Sequence, residues 1–430
     1  KIIRKVVNAA IEVKRSNKDI GSSLEADVEV YLKEDYLKII KDFDLSENFI
    51  TSKAVAKKLI KDNKNLFKLN EIENINVLVK KAEGKKCPRC WKIFPGLCVR
   101  CHANKYLLTD ILKDELGFKG FVVSDWAAIE MIPGDYKSDI IISINAGIDM
   151  VMVPGAVKFG NESYEKFMRL FKESIEDGSI PISRVDDAVK RILLIKKQSG
   201  LFDRPFSDQQ LLSHIGSQKH REIAREAVRK SLVLLKNDDD LLPLPKNGKT
   251  IIVAGRGADN IGMQSGGWTI SWQGEMENKT EGTSVLEAIK SAVDPSVSVQ
   301  YSKDGRNVEG DVAVVVIGEE PYAEMEGDRE DLSLNKKDLD VIKHLKSKNI
   351  PVVVILFSGR PMIITNEIDQ WDSLLAAWLP GTEGQGISDV LFGDYSPTGK
   401  LSFSWPKSVD QLPISKTDDY LFDFGDGLSY

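Results

Sequence analysis

Short apolar runs alternate with amphipathic segments through the C-terminal part of the chain. The apolar runs predict buried strands and the segments between them have helical spacing. This order is typical of a largely parallel sheet covered by helices, so we predict an α/β sandwich over residues 246–430. A connector, residues 201–245, precedes it and contains a predicted strand at 232–235. The predicted strands are 251–254, 312–317, 351–357 and 374–378, and the predicted helices are 220–230, 285–293, 338–346 and 384–392.

The same alternation continues upstream, over residues 102–200. A closed (β/α)8 barrel takes about 250 residues, so we predict only the C-terminal part of such a barrel here. Ser183 is the predicted N-cap of the last helix. The predicted strands are 121–124 and 147–154, and the predicted helices are 105–116, 139–145, 164–176 and 183–198.

The first 101 residues have a different pattern. A basic amphipathic helix at 2–15 leads to an alternating strand at 26–32, a helix at 34–43 and a short element at 52–60. Residues 1–75 therefore form a predicted small basic α+β region, and the whole chain is an α/β multidomain protein. Lys1 already lies within the helical pattern, which suggests that the sequence is an excerpt.

Charge separates the first 101 residues from the remainder. They carry 22 Lys and Arg against 14 Asp and Glu, a net charge of +8, whereas the whole chain carries −6. A basic region followed by an acidic one predicts different partners, nucleic acid for the first and a neutral ligand for the second. The alternative is that the lysines only keep one face solvated. No apolar run approaches the roughly 20 residues of a membrane span, so no membrane partner is predicted.

All four cysteines lie in two Cys-x-x-Cys motifs. Cys87 and Cys90 form the first motif, and Cys98 and Cys101 the second. Two thiolates on each of two tight turns can complete a tetrahedral site, which predicts a structural zinc in residues 76–101. A pair of disulfides or a redox dithiol is the alternative.

Candidate chemistry first appears at the end of the predicted strand 121–124. Asp125 follows that strand, and Trp126 offers an apolar face that could stack on a sugar ring. Chemistry in β/α folds gathers where strands end, so Asp125 is a candidate nucleophile. From the pattern alone, Asp125 could equally cap the following helix.

The segments 102–110 and 115–126 resemble the nucleophile region of family 3 glycoside hydrolases, the β-glucosidases and exo-β-glucanases. The matching runs are His-Ala-Asn-Lys-Tyr-Leu-Leu-Thr-Asp and Glu-Leu-Gly-Phe-Lys-Gly-Phe-Val-Val-Ser-Asp-Trp. The resemblance implies that Asp125 is the nucleophile of a retaining glycosidase. It also implies that the missing barrel strands would supply most contacts to the sugar hydroxyls, so we expect impaired hydrolysis.

A retaining glycosidase needs a second carboxyl group about 5 Å from the nucleophile. The acidic loop 318–328 offers several, including Glu319 and Glu320, and it resembles the acid/base loop of the same family. By that resemblance Glu324, two residues after Tyr322, is the acid/base. A solvated acidic loop is the alternative, and Glu383 is a weaker candidate acid.

The glycine-rich loop 266–274 holds Trp268 and Trp272. Indoles among glycines are poor core material and good platforms for sugars. The resemblance places this loop with Trp126 on the aglycone side of the site, whereas packing is the alternative role.

Residues 1–101 resemble the C-terminal end of bacterial isoleucyl-tRNA synthetases. The matching runs are Ile-Gly-Ser-Ser-Leu-Glu-Ala at 20–26, Glu-Asn-Phe-Ile-Thr-Ser at 47–52 and the first cysteine motif with its flanks at 81–91. The resemblance implies tRNA as a partner and a zinc-bound tail. Aminoacylation is excluded as a hypothesis, because no nucleotide-binding signature of a synthetase is present.

Three functions follow. The first is a retaining exo-acting β-glucosidase for β-glucoside or β-glucan oligosaccharides, which needs no cofactor. The second is a tRNA-binding zinc module with a hydrolase passenger, and the third is a non-functional hybrid or truncated chain. The two resemblances imply different compartments, cytoplasmic for the synthetase part and periplasmic or secreted for the hydrolase part, so localisation stays open.

Overall fold

The computed structural model describes residues 2–40, 45–59, 66–69, 72, 74–83, 85–86, 93–94, 104–132, 135–155, 162–414 and 419–430. The chain divides into two compact units, Lys1–Ser207 and Asp208–Tyr430. Within these described ranges, no helix is both long and apolar enough to cross a membrane.

The first unit begins with a small three-stranded sheet. Its order is β2-β1-β3, in which β1 pairs parallel with β2 and antiparallel with β3. Val6, Val7, Ala10 and Ile11 of the first helix pack on the apolar side of β1. The predicted strand 26–32 is confirmed, but β3 was missed. The elements are α1 (Ile2–Ser16), β1 (Ala26–Leu32), α2 (Glu34–Ile40), α3 (Leu45–Phe49), β2 (Lys53–Lys58), β3 (Ile75–Lys81), β4 (Lys85–Lys86) and β5 (Ile93–Phe94).

The remainder of the first unit is mainly helical. A π-helix spans Tyr106–Glu115, a 3-10 helix spans Ala128–Met131, and the α-helices are α4 (Tyr136–Ala146), α5 (Tyr164–Glu176) and α6 (Ile182–Gln198). Val123 and Met150 form a parallel bridge at the two predicted strands. The prediction of Ser183 as N-cap is wrong, because α6 begins at Ile182 after Pro181. The partial barrel stays a prediction.

A six-stranded sheet forms the centre of the second unit, in the order β6-β11-β10-β9-β7-β8. All neighbours pair parallel except β6, which pairs antiparallel with β11 at one edge. The predicted strands are confirmed to within a residue or two, whereas β8 was missed. The elements are α7 (Gln218–Ser231), β6 (Val233–Asn237), β7 (Ile251–Ala254), α8 (Ile261–Ser265), α9 (Val285–Ala292), β8 (Val299–Ser302), β9 (Val312–Gly318), α10 (Lys336–Lys346), β10 (Val352–Phe357), β11 (Ser373–Trp378) and α11 (Gln385–Leu391).

Burial on both faces explains the continuous apolar strands of this sheet. In β9, Val314 and Val316 belong to one apolar cluster, while Val315 and Ile317 belong to the cluster on the opposite face. Side chains alternate between faces, so a strand covered on both sides is apolar at every position. Strand β9 therefore holds the loop after it on a rigid, central support.

Candidate active site

Asp125 lies in the first unit, just after the short strand pairing. The backbone N–H of Ser124 donates to the carbonyl of Met150 (2.9 Å), and the Ser124 hydroxyl accepts from the N–H of Met152 (2.9 Å). Asp125 is exposed, and its Oδ1 accepts the N–H of Trp126 at 2.9 Å. The 3-10 helix that follows has Ala127 as its N-cap residue, so Asp125 does not occupy the capping position.

Trp126 is 51% exposed beside Asp125. The two predicted site residues of the first unit are therefore adjacent on its surface. The carboxylate of Asp125 could act as a nucleophile, and the indole of Trp126 could stack on the sugar.

A buried ion pair supports the segment that ends at Asp125. Lys113 Nζ lies 2.8 Å from Asp149 Oδ1, and these side chains are 3% and 0% exposed. Asp149 Oδ2 also accepts the N–H of Val122 at 2.8 Å, while Arg191 donates to the carbonyls of Phe118 and Gly120. Burial lowers the pKa of Lys113, an effect that its hydrogen bonds to Asp149 oppose.

Glu324 lies in the second unit and begins the 3-10 helix Glu324–Gly327, in the loop after β9. Its side chain is exposed. Gly318 allows the loop to leave the sheet, because its φ is +143° and a Cβ there would lie 1.8 Å from the carbonyl oxygen of Phe357. The carboxyl end of a parallel strand is where ligand contacts gather in open α/β sheets.

Three other carboxylates near Glu324 have specific partners, arginines for two of them and a serine for the third. Glu319 is buried and bonded to Arg329 (3.0 Å) and Arg360 (2.8 Å), and Glu320 is bonded to Arg256 (2.6 Å). Asp331 accepts the backbone N–H of Ser333 at 2.8 Å, and hydrogen bonds to that serine lower the pKa of Asp331. The loop is therefore organised by specific pairs, rather than being only a solvated acidic segment.

The tryptophan loop contacts the loop of Glu324. The ring centroids of Trp268 and Trp272 are 6.4 Å apart in an edge-on arrangement, and Trp268 is 69% exposed. The Gln273 side chain accepts the N–H of Ala323 (2.9 Å) and donates to its carbonyl (3.3 Å). The structure thus brings Trp268, Trp272 and the acidic loop together within one unit.

Glu383 has a structural environment. It is 3% exposed, and its Oε1 lies 3.1 Å from Arg221 and accepts from the Thr382 hydroxyl at 3.1 Å. A buried carboxylate with these partners is poorly placed to meet a sugar, which disfavours it as the acid.

Sequence reasoning missed Gln273 and Arg360. Each is bonded to the acidic loop from a distant part of the chain, 50 residues away for Gln273 and Ala323 and 41 for Arg360 and Glu319. The sequence offered no local signal for either role, because each contact joins loops that meet only in the folded chain.

The four cysteines predicted to bind zinc lie outside the described residues. Among the residues that the structure does describe, no group of three or more His, Cys, Asp and Glu is arranged to hold a metal ion. The zinc site therefore stays a prediction.

Comparison with known families shows where this chain belongs. The glycosyl hydrolase family 3 N terminal domain matches residues 75–195, and the family 3 C-terminal domain matches residues 232–430. The chain belongs to glycosyl hydrolase family 3. The family match begins at residue 75 and so includes the segment 76–101 that carries the cysteine motifs.

Curated relatives extend this similarity. A lysosomal beta glucosidase of Dictyostelium discoideum is 32% identical over 372 residues, which are 77% of this chain and 44% of that protein. A periplasmic beta-glucosidase of Salmonella typhimurium is 32% identical over 361 residues, 73% of this chain and 45% of that protein. The chain therefore spans about half the length of these relatives.

Solved family 3 structures agree with this fold. An exo-1,3/1,4-beta-glucanase from a Pseudoalteromonas species matches with a TM-score of 0.70 at 42% identity, over 77% of this chain and 43% of that one. A beta-glucosidase from Listeria innocua in complex with glucose matches with a TM-score of 0.66 at 27% identity, over 79% of this chain and 50% of that one.

Proposed function

We propose that this chain is a retaining, exo-acting glycosidase of the β-glucosidase type, which removes terminal β-D-glucosyl residues from β-glucosides or β-glucan oligosaccharides. Membership of family 3 and the similarity to beta-glucosidases and an exo-glucanase support this activity. The observation that carries the proposal most is the docking of the exposed tryptophan loop on the backbone next to Glu324.

Two carboxyl groups would perform the reaction. The Asp125 carboxylate attacks the anomeric carbon and forms a glycosyl-enzyme ester, while Glu324 donates its proton to the departing oxygen. Glu324, now a carboxylate, then removes a proton from water, whose oxygen attacks the anomeric carbon and releases Asp125. The configuration at that carbon is retained, and no metal or organic cofactor takes part.

The tryptophans would bind the sugar by stacking. Trp126 beside Asp125, and Trp268 and Trp272 beside Glu324, would each contact the leaving group on the aglycone side. The exposure of Trp126 and Trp268 supports this role, because covering an indole with an apolar sugar face removes apolar surface from water and lowers the free energy. Trp272 is half-buried.

Hydrolysis of an aryl β-glucoside by the full chain tests the proposal. We expect glucose to be released as the β-anomer, observed by proton NMR before mutarotation. Asp125→Ala should abolish release, whereas Asp114→Ala, an exposed carboxylate of the same unit, should not. Release of the α-anomer, or equal activity in the Asp125→Ala variant, would refute the assignment.

The expected impairment is a separate question. If missing barrel contacts matter, KM for the full chain should be high and nearly independent of the hydroxyl pattern of the sugar. Comparing β-glucoside, β-galactoside and β-xyloside measures this, and strong selectivity among them would argue against impairment.

Residues 1–101 support a second proposal, tRNA binding with a structural zinc on Cys87, Cys90, Cys98 and Cys101. Their net charge of +8 and the exposed Lys53 of β2 favour a polyanionic partner, whereas Lys57 and Lys58 are paired with Glu29 and Glu34. Binding of tRNA by the full chain should weaken steeply with salt and be lost with a chelator. Salt-independent or absent binding would exclude the tRNA proposal.

A further inference from the structure

Three side chains form an arginine clamp around the loop of Glu324, namely Glu319, Tyr322 and Arg360. Arg360 donates to Glu319 Oε1 from Nε (3.1 Å) and Nη2 (2.8 Å), and its guanidinium lies 4.7 Å from the centroid of the Tyr322 ring. The Tyr322 hydroxyl donates to Glu319 Oε2 at 3.1 Å. The planar guanidinium thus forms ionic and stacking contacts at once.

The clamp also reaches the backbone beyond Glu324. Arg360 Nη2 donates to the carbonyl of Gly327 at 2.7 Å. On the other side of Glu324, both backbone groups of Ala323 are bonded to Gln273. The 3-10 helix that begins with Glu324 is therefore fixed at both ends by side chains from outside the loop.

Tyr322 fits between two glycines. A Cβ on Gly327 would lie 2.1 Å from Cδ2 of the Tyr322 ring, and a Cβ on Gly359 would lie 2.8 Å from its hydroxyl oxygen. The ring therefore packs directly on backbone, and the Arg360 guanidinium covers one of its faces. Movement of Arg360 would open the packing that holds this ring.

Glu324 itself has a φ of +51°, in the left-handed region. Residues other than glycine and asparagine rarely adopt this backbone conformation, and they keep it only where surrounding contacts enforce it. The contacts of Arg360 and Gln273 on either side are of that kind, and the conformation determines where the carboxyl group points.

We propose that Arg360 is a positioning residue, which through Glu319, Tyr322 and Gly327 holds the Glu324 carboxyl in the direction needed for proton donation. This inference rests on the proposed glycosidase function. The contacts of Arg360 are with Glu319, Tyr322 and Gly327, so its loss should impair the acid step while leaving attack by the nucleophile intact.

Substitution of Arg360 should leave the fold intact. Glu319 is only 5% exposed, but without Arg360 it keeps Arg329 at 3.0 Å and the Tyr322 hydroxyl at 3.1 Å. Arg360→Met retains the length of the side chain and removes the fork. Arg306→Met is the matched control, because Arg306 is a largely exposed arginine of the same unit, paired only loosely with Asp304 at 3.8 Å.

Leaving-group dependence distinguishes positioning from general damage. A 2,4-dinitrophenolate leaves without protonation, whereas the oxygen of a phenyl or alkyl β-glucoside needs the acid. We expect Arg360→Met to lower kcat/KM for phenyl β-glucoside by roughly 10–100-fold and for 2,4-dinitrophenyl β-glucoside by less than about threefold. Arg360→Lys, which keeps the charge without the fork, should lie between Arg360→Met and the wild type.

Two results would overturn the inference. One is an equal loss on both substrates in Arg360→Met, which indicates general damage, and the other is no loss on either. The Arg306→Met control should match the wild type on both substrates.

Hydrogen exchange separates this inference from the proposed function. If the wild-type chain hydrolyses neither substrate, the glycosidase proposal fails, and amide exchange of residues 319–328 then decides the positioning claim by itself. Faster exchange there in Arg360→Met than in Arg306→Met supports the clamp, and unchanged exchange refutes it.

Discussion

The two proposed catalytic carboxylates are supported in different ways. Asp125 follows a segment joined to its neighbour through the Val123–Met150 bridge, whereas Glu324 follows β9, which has a parallel neighbour on each side. The helices of the first unit leave Met168 63% and Ile182 62% exposed, while every residue of β9 is buried.

This difference shows that a loop can be held by local charge pairs as well as by a sheet. Near Asp125, the buried pair of Lys113 and Asp149 takes the place of extensive strand pairing. Near Glu324, β9 supports the start of the loop, and the arginine clamp and Gln273 fix the backbone on either side of Glu324. Substitutions near Asp125 should therefore lower the stability of the first unit. Substitutions near Glu324 should change the position of its carboxyl group.

The largest expected effect is the loss of activity in Asp125→Ala, compared with that in Glu324→Ala. Loss of the nucleophile should reduce kcat by about 10⁴-fold or more for every substrate, because no glycosyl-enzyme can form. Loss of the acid should cost about 10²–10⁴-fold for phenyl β-glucoside and far less for the dinitrophenyl substrate. Steady-state kinetics on both substrates measures this, and identical profiles of the two variants would contradict the assigned roles.

The second effect concerns stability of the first unit alone. Asp149→Asn should destabilise it by about 3–5 kcal/mol, because Lys113 would stay buried with only the more distant Asp187 (3.8 Å), and Arg184 would lose the same carboxylate. Hydrogen exchange of the full chain should show lost protection at residues 118–152 and unchanged protection in β9 and β10. Asp177→Asn, which breaks the more exposed pair with Lys137, should have a much smaller effect. Equal effects of the two substitutions would argue against this support for Asp125.

A third effect depends on pH. Burial, and secondarily the charges of Asp135, Glu130 and Glu162, raises the pKa of Asp139 from 3.8 to about 6. The folded state binds this proton more tightly than the unfolded state, so the contribution is full below about pH 4 and is lost as pH rises through 6. The first unit should therefore become less stable as pH rises from about 4 to above 6.

Asp139→Asn tests the pH effect, since it removes the titrating group at similar size. Urea unfolding at pH 4.5 and 7, followed by hydrogen exchange in α4, should show a smaller pH dependence in this variant. The exposed Asp186→Asn should retain the wild-type dependence. A steeper dependence in Asp139→Asn would reverse the assignment.

The smallest effect is expected at Trp268. Trp268→Ala should raise KM by about tenfold, roughly the value of one stacked ring, with kcat nearly unchanged. Because the side chain is mostly exposed, the melting temperature should stay constant. Trp371→Ala is the contrasting variant, since Trp371 is 2% exposed and its loss should lower stability. A fall in stability for Trp268→Ala would indicate a packing role.

Apolar runs predicted the sheet of the second unit well. Strands such as β9 and β10 are apolar throughout because both faces are buried, and that signal needs no tertiary information. The edge strand β8 (Val299–Ser302) was missed because it is half-exposed and polar. The N-cap of α6 was misplaced by two residues because a serine in the first turn resembles a cap.

The candidate site was predictable from the sequence only where its residues lie in one short motif. Asp125 with Trp126, and Glu324 after Tyr322, are local patterns that also carry the family resemblance. Gln273 and Arg360 have no such signal, since their roles depend on loops that meet only in the folded chain. The pairing of Glu319 and Glu320 with arginines was invisible for the same reason.

At Glu324, which has a left-handed backbone, the residue that would give the most stable protein differs from the residue that the proposed activity requires. Glycine would adopt this conformation without the steric cost of about 1–2 kcal/mol that an ordinary L-residue bears there. Selection for a more robust protein alone would therefore replace the glutamate with glycine and discard the acid. Screens for thermostable variants of this chain should expect their most stable members at residue 324 to be inactive.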